Sequence, residues 1–159
     1  MTAILVAVSI LALIPAIFLW PHVGILMWFW VGIMNPHRWA WGSLEVLGYA
    51  QMIALATIAA WVFSREPKRV PVTAVTGLLI VFALWVTLTS VTARVPDAAW
   101  KDWNLAIKIL VMTFMSLALI TTRERLHALI WITVLSLGYW GFKGGLFTLL
   151  TGGTYRVWG

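Results

Sequence analysis

Long apolar runs alternate with short polar breaks along the whole chain. From Met1 to His37 there is no Asp, Glu, Lys or Arg. That run is too long for one perpendicular membrane span, which needs about 20 residues. Pro15 and Pro21 interrupt it, and Trp20-Pro21-His22 reads as a turn. The pattern therefore predicts two short helices over 2–19 and 22–35, with a single kinked and tilted helix as the alternative. Asn35-Pro36-His37-Arg38-Trp39-Ala40-Trp41-Gly42-Ser43 has the Pro, Gly and polar residues of a loop. A third helix is expected from about Leu44 to Phe63, followed by a basic turn from Ser64 to Pro71. A fourth is expected from about Val72 to Val91. In the next break Pro96 and Asp97 suit a helix start, and the fifth helix then continues to about Ile120. Thr121-Thr122-Arg123-Glu124-Arg125 forms a second basic turn, and a sixth helix spans about Leu126 to Leu150, before a tail of Thr151 to Gly159. The expected fold is all-α: a polytopic transmembrane helical bundle of about six membrane helices, the first two short.

Composition strengthens that expectation. Of the 159 residues, 62% are hydrophobic and 10% are charged, against roughly 25% charged in an ordinary globular domain. The mean hydropathy is +0.96. A soluble domain of this size leaves much of its surface in water and has nowhere to hide so much apolar area; lipid removes the difficulty. Met1 to Trp20 has neither a basic leading region nor a small-residue cleavage site, so it reads as a retained membrane segment rather than a signal peptide. No internal repeat, low-complexity tract or soluble domain is visible, and residues 1–159 read as one transmembrane module.

The net charge of +6 comes from 11 Lys/Arg against 5 Asp/Glu. In a soluble protein this balance raises the question of nucleic acid. Here the basic residues sit in short loops between apolar runs, where they anchor at anionic head groups, and no nucleic-acid partner is expected. The expected partner is the lipid bilayer itself. The chain has 12 Trp, many of them flanking apolar runs, as Trp20, Trp39, Trp41, Trp100 and Trp103 do; the Trp ring favours the membrane–water boundary. There is no cysteine, which excludes disulfides, thiol chemistry and Cys-ligated metals.

Loop charge also predicts topology. Arg65, Lys68 and Arg69 lie in one turn and Arg123 and Arg125 in another, two helices later. The two turns therefore share a side, and basic short loops face the cytoplasm. Turns 64–71 and 121–125 are expected inside, and the loops at 36–43 and 92–102 and the tail at 151–159 outside. Through a hairpin over 2–35, the N-terminus also falls outside.

An ionisable group in a bilayer needs a reason. Asp97, Lys101, Asn104 and Lys108 recur at helical spacing and form one polar stripe entering the fifth helix. The stripe reads either as a cationic lining for an anionic lipid-linked substrate, or as an Asp97–Lys101 pair with Lys108 snorkelling to the surface. Lys143 lies roughly 24 Å along the sixth helix from His127, near the outer interface, where it suits a phosphate or head groups equally. Gly138, Gly141 and Gly145 share a face that would permit close helix packing. His37 and Arg38 suit acid–base or phosphate work or a plain boundary loop, and His22 and His127 read as interfacial. The three His are dispersed and the acids lie in loops, so no metal constellation is expected. No nucleophile triad, Walker loop or dinucleotide fingerprint is present.

Several phrases match a known family in order and spacing over almost the whole chain. They are Met34-Asn35-Pro36-His37-Arg38, Ser64-Arg65-Glu66-Pro67-Lys68-Arg69, Thr122-Arg123-Glu124-Arg125-Leu126-His127-Ala128, Lys143 to Gly153, and Tyr155-Arg156-Val157-Trp158-Gly159. In these the chain resembles the N-terminal part of the O-glycosylation ligases associated with the exosortase A system, within the O-antigen ligase and polymerase superfamily. The resemblance implies a multi-pass protein of the bacterial inner membrane, acting on polyprenyl-diphosphate-linked glycans at the periplasmic face without a metal or nucleotide cofactor. Other membrane proteins of the same pathway are implied partners. It also implies that arginines hold the diphosphate and that a large periplasmic loop supplies further catalytic groups, including a His. That loop comes later than residue 159, so this module by itself is expected to be incomplete for catalysis.

In the superfamily an Arg–x–x–Gly phrase opens a longer stretch, and Arg156 and Gly159 match its opening. Arg156 is the foremost candidate for diphosphate contact, since its planar fork holds two phosphate oxygens under permanent charge. Lys143, Arg38, His37, Lys108 and Lys101 are the further candidates. A non-catalytic membrane scaffold in a polysaccharide export or exosortase-linked assembly is the competing expectation. A small transporter ranks last, because the ionisable groups lie near helix ends rather than at mid-depth.

Overall fold

The computed structural model describes residues 2–35 and 48–153. Among them are six helices and no strand: α1 (Thr2–Leu19), α2 (Pro21–Met34), α3 (Tyr49–Phe63), α4 (Ala74–Val91), α5 (Pro96–Leu119) and α6 (Arg123–Thr151). The first apolar run is two helices, not one kinked helix. Trp20 has φ −138° and ψ 89°, because the ring of Pro21 disfavours helical geometry in the residue before it. Pro21 itself opens α2, where a missing N–H costs nothing. Pro15, by contrast, is carried inside α1.

Threonine caps set two other starts. The Thr73 hydroxyl accepts from Thr76 N at 3.3 Å at the head of α4. The Thr122 hydroxyl accepts from Arg125 N at 3.3 Å at the head of α6. That second cap corrects the expected boundary at 126. Arg123, Glu124 and Arg125 form the first turn of α6 rather than a loop, since a side-chain acceptor on Thr122 satisfies a backbone N–H that would otherwise lack a partner. At its far end α6 stops at Gly152, whose φ of 64° lies in the left-handed region that favours glycine.

The helix α2 is the centre of the bundle. It packs against α1, α3, α5 and α6, while α4 packs on α5. One apolar cluster joins Ile10 and Ile17 of α1, Met27 and Val31 of α2, and Tyr49, Ile53 and Ala60 of α3. A second joins Ile25 of α2 to Met112, Met115 and Leu119 of α5. Gly24 lets α2 and α3 approach closely: a Cβ there would lie 2.9 Å from the Thr57 Cβ and 3.0 Å from Ile17 Cγ2. The buried Thr57 hydroxyl is satisfied within its own helix, donating to Ile53 O at 2.6 Å.

The outside of the bundle carries many large apolar side chains. On α4, Leu78, Leu84 and Trp85 are each more than 60% exposed, and on α6 Leu149 is 82% exposed. Two helices, α4 and α5, are long and apolar enough to cross a membrane. The apolar helices α2 and α3 are shorter, at 14 and 15 residues. At about 1.5 Å per residue these reach roughly 21–22 Å, against a hydrocarbon thickness of about 30 Å.

Candidate functional site: the two polar ends of the bundle

Polar side chains gather at the two ends of the bundle. At one end a single arginine ties three segments together. Arg125, in the first turn of α6, is paired with Glu66 of the α3–α4 turn, Nη2 to Oε1 at 2.5 Å. Its Nη1 donates to Glu66 Oε2 at 3.1 Å and to Leu119 O at 2.9 Å. The forked geometry is what a planar guanidinium offers a carboxylate. The Leu119 bond matters separately, because the last carbonyls of a helix have no partner within it and Leu119 is fully buried.

The Arg125 hydrogen bonds hold the Glu66 carboxyl below its ordinary value. Partial burial opposes that, and the charge of Arg125 and the nearby His22 reinforce it. His22 lies in the first turn of α2 at this same end, half-buried, with Nδ1 buried and lacking a hydrogen-bond partner among the described residues. Thus the α1–α2, α3–α4 and α5–α6 junctions meet at one end. The turn itself is closed by Ser64, whose hydroxyl donates to Trp61 O at 2.9 Å and accepts from Glu66 N at 3.3 Å. Lys68 Nζ donates to Ser64 O at 2.9 Å.

At the opposite end the candidate cations are spread over separate helices. Lys108 donates to Gln51 Oε1 of α3 at 3.4 Å. It is therefore tied to a neighbouring helix rather than only reaching outward. Lys101 is exposed on the same stripe, and the expected Asp97–Lys101 ion pair does not form among the described residues. Both side chains stand at the exposed head of α5, where water competes for them. The other face of α5 behaves as an apolar face should: Trp100 and Trp103 pack edge to face at 5.2 Å. The Trp103 ring N–H donates to Thr87 of α4 at 3.0 Å. Lys143 lies over the ring of Trp140, 5.1 Å from its centre, a cation–π arrangement. The Trp140 ring N–H reaches Ile33 O of α2 at 3.2 Å.

These contacts attach Lys108 to α3 and Lys143 to the α2–α6 seam. His37, Arg38 and Arg156 lie outside the described residues. Gly138, Gly141 and Gly145 make no close helix contact: no described atom lies within 4 Å of a Cβ built on any of them. The reason is rotational. The face of α6 turned to α2 is the one carrying Ser136 and Trp140, and Gly138 falls about 200° round the helix from Ser136 at 100° per residue. His127 is exposed.

Sequence reasoning placed the two basic turns on one side but missed the pairing of Glu66 with Arg125. The partners are 59 residues apart, and no local spacing rule links them. The one available hint was a lone acid embedded among Arg65, Lys68 and Arg69.

No curated protein and no solved structure matches the chain. One family model matches residues 1–158, so the chain belongs to the family of unknown function DUF5935.

Proposed function

We propose that the chain is the N-terminal membrane module of an O-antigen ligase- or polymerase-like glycosyltransferase, acting on polyprenyl-diphosphate-linked glycans at the periplasmic face of the bacterial inner membrane. The observation that carries the reading is the run of matched phrases from Met34 to Gly159, in order and spacing. The structure adds a physical role for two of them. Ser64–Arg69 and Thr122–Ala128 hold the two partners of the Glu66–Arg125 ion pair, so both serve to set the bundle.

In this reading all six helices lie in the bilayer, with the Glu66–Arg125 end cytoplasmic. The opposite end, with Lys101, Lys108, Lys143, Arg38 and Arg156, faces the periplasm. Positive charge there stabilises the diphosphate as it leaves the sugar. Acceptor activation needs a general base, which the resemblance assigns to a periplasmic loop beyond these helices.

The test is complementation of a glycan-ligase-deficient strain with the gene extended downstream of codon 159, alongside the same gene carrying Arg156→Ala or Lys143→Ala. Restored glycan transfer that is lost in the Arg156 variant supports the reading. No restoration by the well-expressed extended protein sinks it. Reporter fusions test the topology separately: those after Pro67 and Thr121 should read cytoplasmic, and those after Pro96 and Gly153 periplasmic.

A second reading, a non-catalytic scaffold in an export assembly, is favoured by the open glycine face of α6. It predicts that Gly141→Leu abolishes co-purification with a membrane partner, while Arg156→Ala and Lys143→Ala leave glycan transfer unchanged.

A further inference from the structure

We infer that the Glu66–Arg125 pair welds the two basic turns into one composite docking surface for anionic phospholipid head groups. The inference rests on the membrane reading above and is independent of the glycan.

The argument starts from which charges remain after internal pairing. Five cations, Arg65, Lys68, Arg69, Arg123 and Arg125, stand at this end against two carboxylates, Glu66 and Glu124. Glu66 and Arg125 neutralise each other. What is left is four exposed cations and one exposed acid. Arg65, Arg69 and Arg123 make no ion pair among the described residues. Among the described residues the ammonium of Lys68 contacts a backbone carbonyl, Ser64 O, and no carboxylate.

The placement then selects the occupant. The residues flanking the cations are apolar and exposed: Phe63 is 85% exposed, and Leu126 also faces outward. A cationic rim continuous with an exposed apolar wall complements a negatively charged head group above acyl chains. A nucleic acid or an acidic soluble protein would leave that wall in water.

The ion pair gives the surface its unity. Three of the cations belong to the α3–α4 turn and one to the head of α6. Arg125 holds Glu66 with two nitrogens and the end of α5 through Leu119 O. Without that clamp each turn presents its charge alone. Removing the acid Glu66 therefore weakens anionic-lipid association, although it raises the net charge. A simple sum of charges predicts the reverse.

The experiment uses the full chain reconstituted in phosphatidylcholine vesicles. The readout is the association of spin-labelled phosphatidylglycerol relative to spin-labelled phosphatidylcholine, by electron paramagnetic resonance at low and high salt. Wild type should prefer the anionic lipid severalfold at low salt, and salt should erase most of that preference. Arg65→Gln, Lys68→Gln, Arg69→Gln and Arg123→Gln combined should abolish it. Arg94→Gln, at the other end, should leave it unchanged. Glu66→Ala should lower the preference, and the swap of Glu66→Arg with Arg125→Glu should restore it.

Equal or stronger preference in Glu66→Ala overturns the composite surface, as does a preference that survives loss of all four cations. Competition by inorganic phosphate as effective as by the lipid also overturns it, because the ligand would then be free anion. If the protein fails to float with the vesicles, the membrane reading falls as well. If it floats without lipid preference, only this inference falls.

Discussion

The helices α2 and α6 both carry long apolar stretches, α2 the more apolar of the two, and they end in opposite surroundings. The shorter one, 14 residues, buries Pro21, Gly24, Ile25, Met27 and Val31 against other helices. The longer one, 29 residues, buries only Ser136. Hydropathy says that each must be surrounded by apolar matter; it does not say whose. For α2 the neighbours are side chains of this chain, admitted by the missing side chain at Gly24. For α6 most of the circumference is left to something else, which in the membrane reading is lipid. The central helix is the more apolar of the two, and its place in the bundle rests on that together with a small residue, Gly24, that admits close neighbours.

The contrast is easiest to break at Gly24. Gly24→Leu drives a side chain into Thr57 and Ile17, and should cost about 3 kcal/mol or more by overpacking. The check is loss of the monodisperse peak and a marked fall in thermal stability in detergent. If Gly24→Leu melts like wild type, α2 is not the centre of the bundle.

The next effect is at the junction of α6 with the rest. Arg125→Ala leaves the partly buried Glu66 carboxylate and the Leu119 carbonyl without their partner, and should cost about 1–3 kcal/mol. A thermal melt compared with that of the double variant Glu66→Gln/Arg125→Ala measures how much of the loss comes from the stranded charge. A single variant no less stable than the double one would remove the ion pair from the account.

Acid probes the same bond more gently. The folded protein holds the Glu66 carboxyl below its ordinary value of 4.5. The pair's contribution is therefore complete above that ordinary value and is lost as pH falls through the lower, folded one. The wild type should lose about 1 kcal/mol on this descent. Glu66→Gln should lose correspondingly less, and parallel pH–melting curves for the two proteins would refute the assignment.

The smallest effect belongs to the open face of α6. A Cβ added at Gly141 meets no other described helix within 4 Å, and Gly141→Leu should change the stability of the isolated chain by no more than about 0.5 kcal/mol. A large loss would mean that this face is covered by the protein itself.

Much of the helix map was legible because its punctuation is local. Pro21 disfavours helical geometry at Trp20 through its own ring, and the charged turn at 64–71 ends α3 wherever α3 lies. The start of α6 lies three residues before the expected one, because the charged residues 123–125 form its first turn. Thr122 has the better claim as a cap, and a first helical turn tolerates charges that turn outward or find partners. Lys101, Lys108 and Lys143 are exposed, but the contacts that candidate residues make across the bundle were not foreseen. Lys108 with Gln51 and Trp140 with Ile33 O join residues 57 and 107 positions apart.

By itself the sequence determined that the chain is helical, apolar on the outside as well as the inside, and punctuated where Pro, Gly and charge break the runs. Each of these follows from the covalent chemistry of a few neighbouring residues. Only the tertiary structure decided that α2 is the hub, that the glycines of α6 face away from it, and that Glu66 finds Arg125. Those outcomes depend on the rotation of each helix about its own axis and on which helices stand side by side. A sequence this rich in apolar residues carries little information about either, because, the polar stripe of α5 aside, most helix faces are greasy enough to be buried.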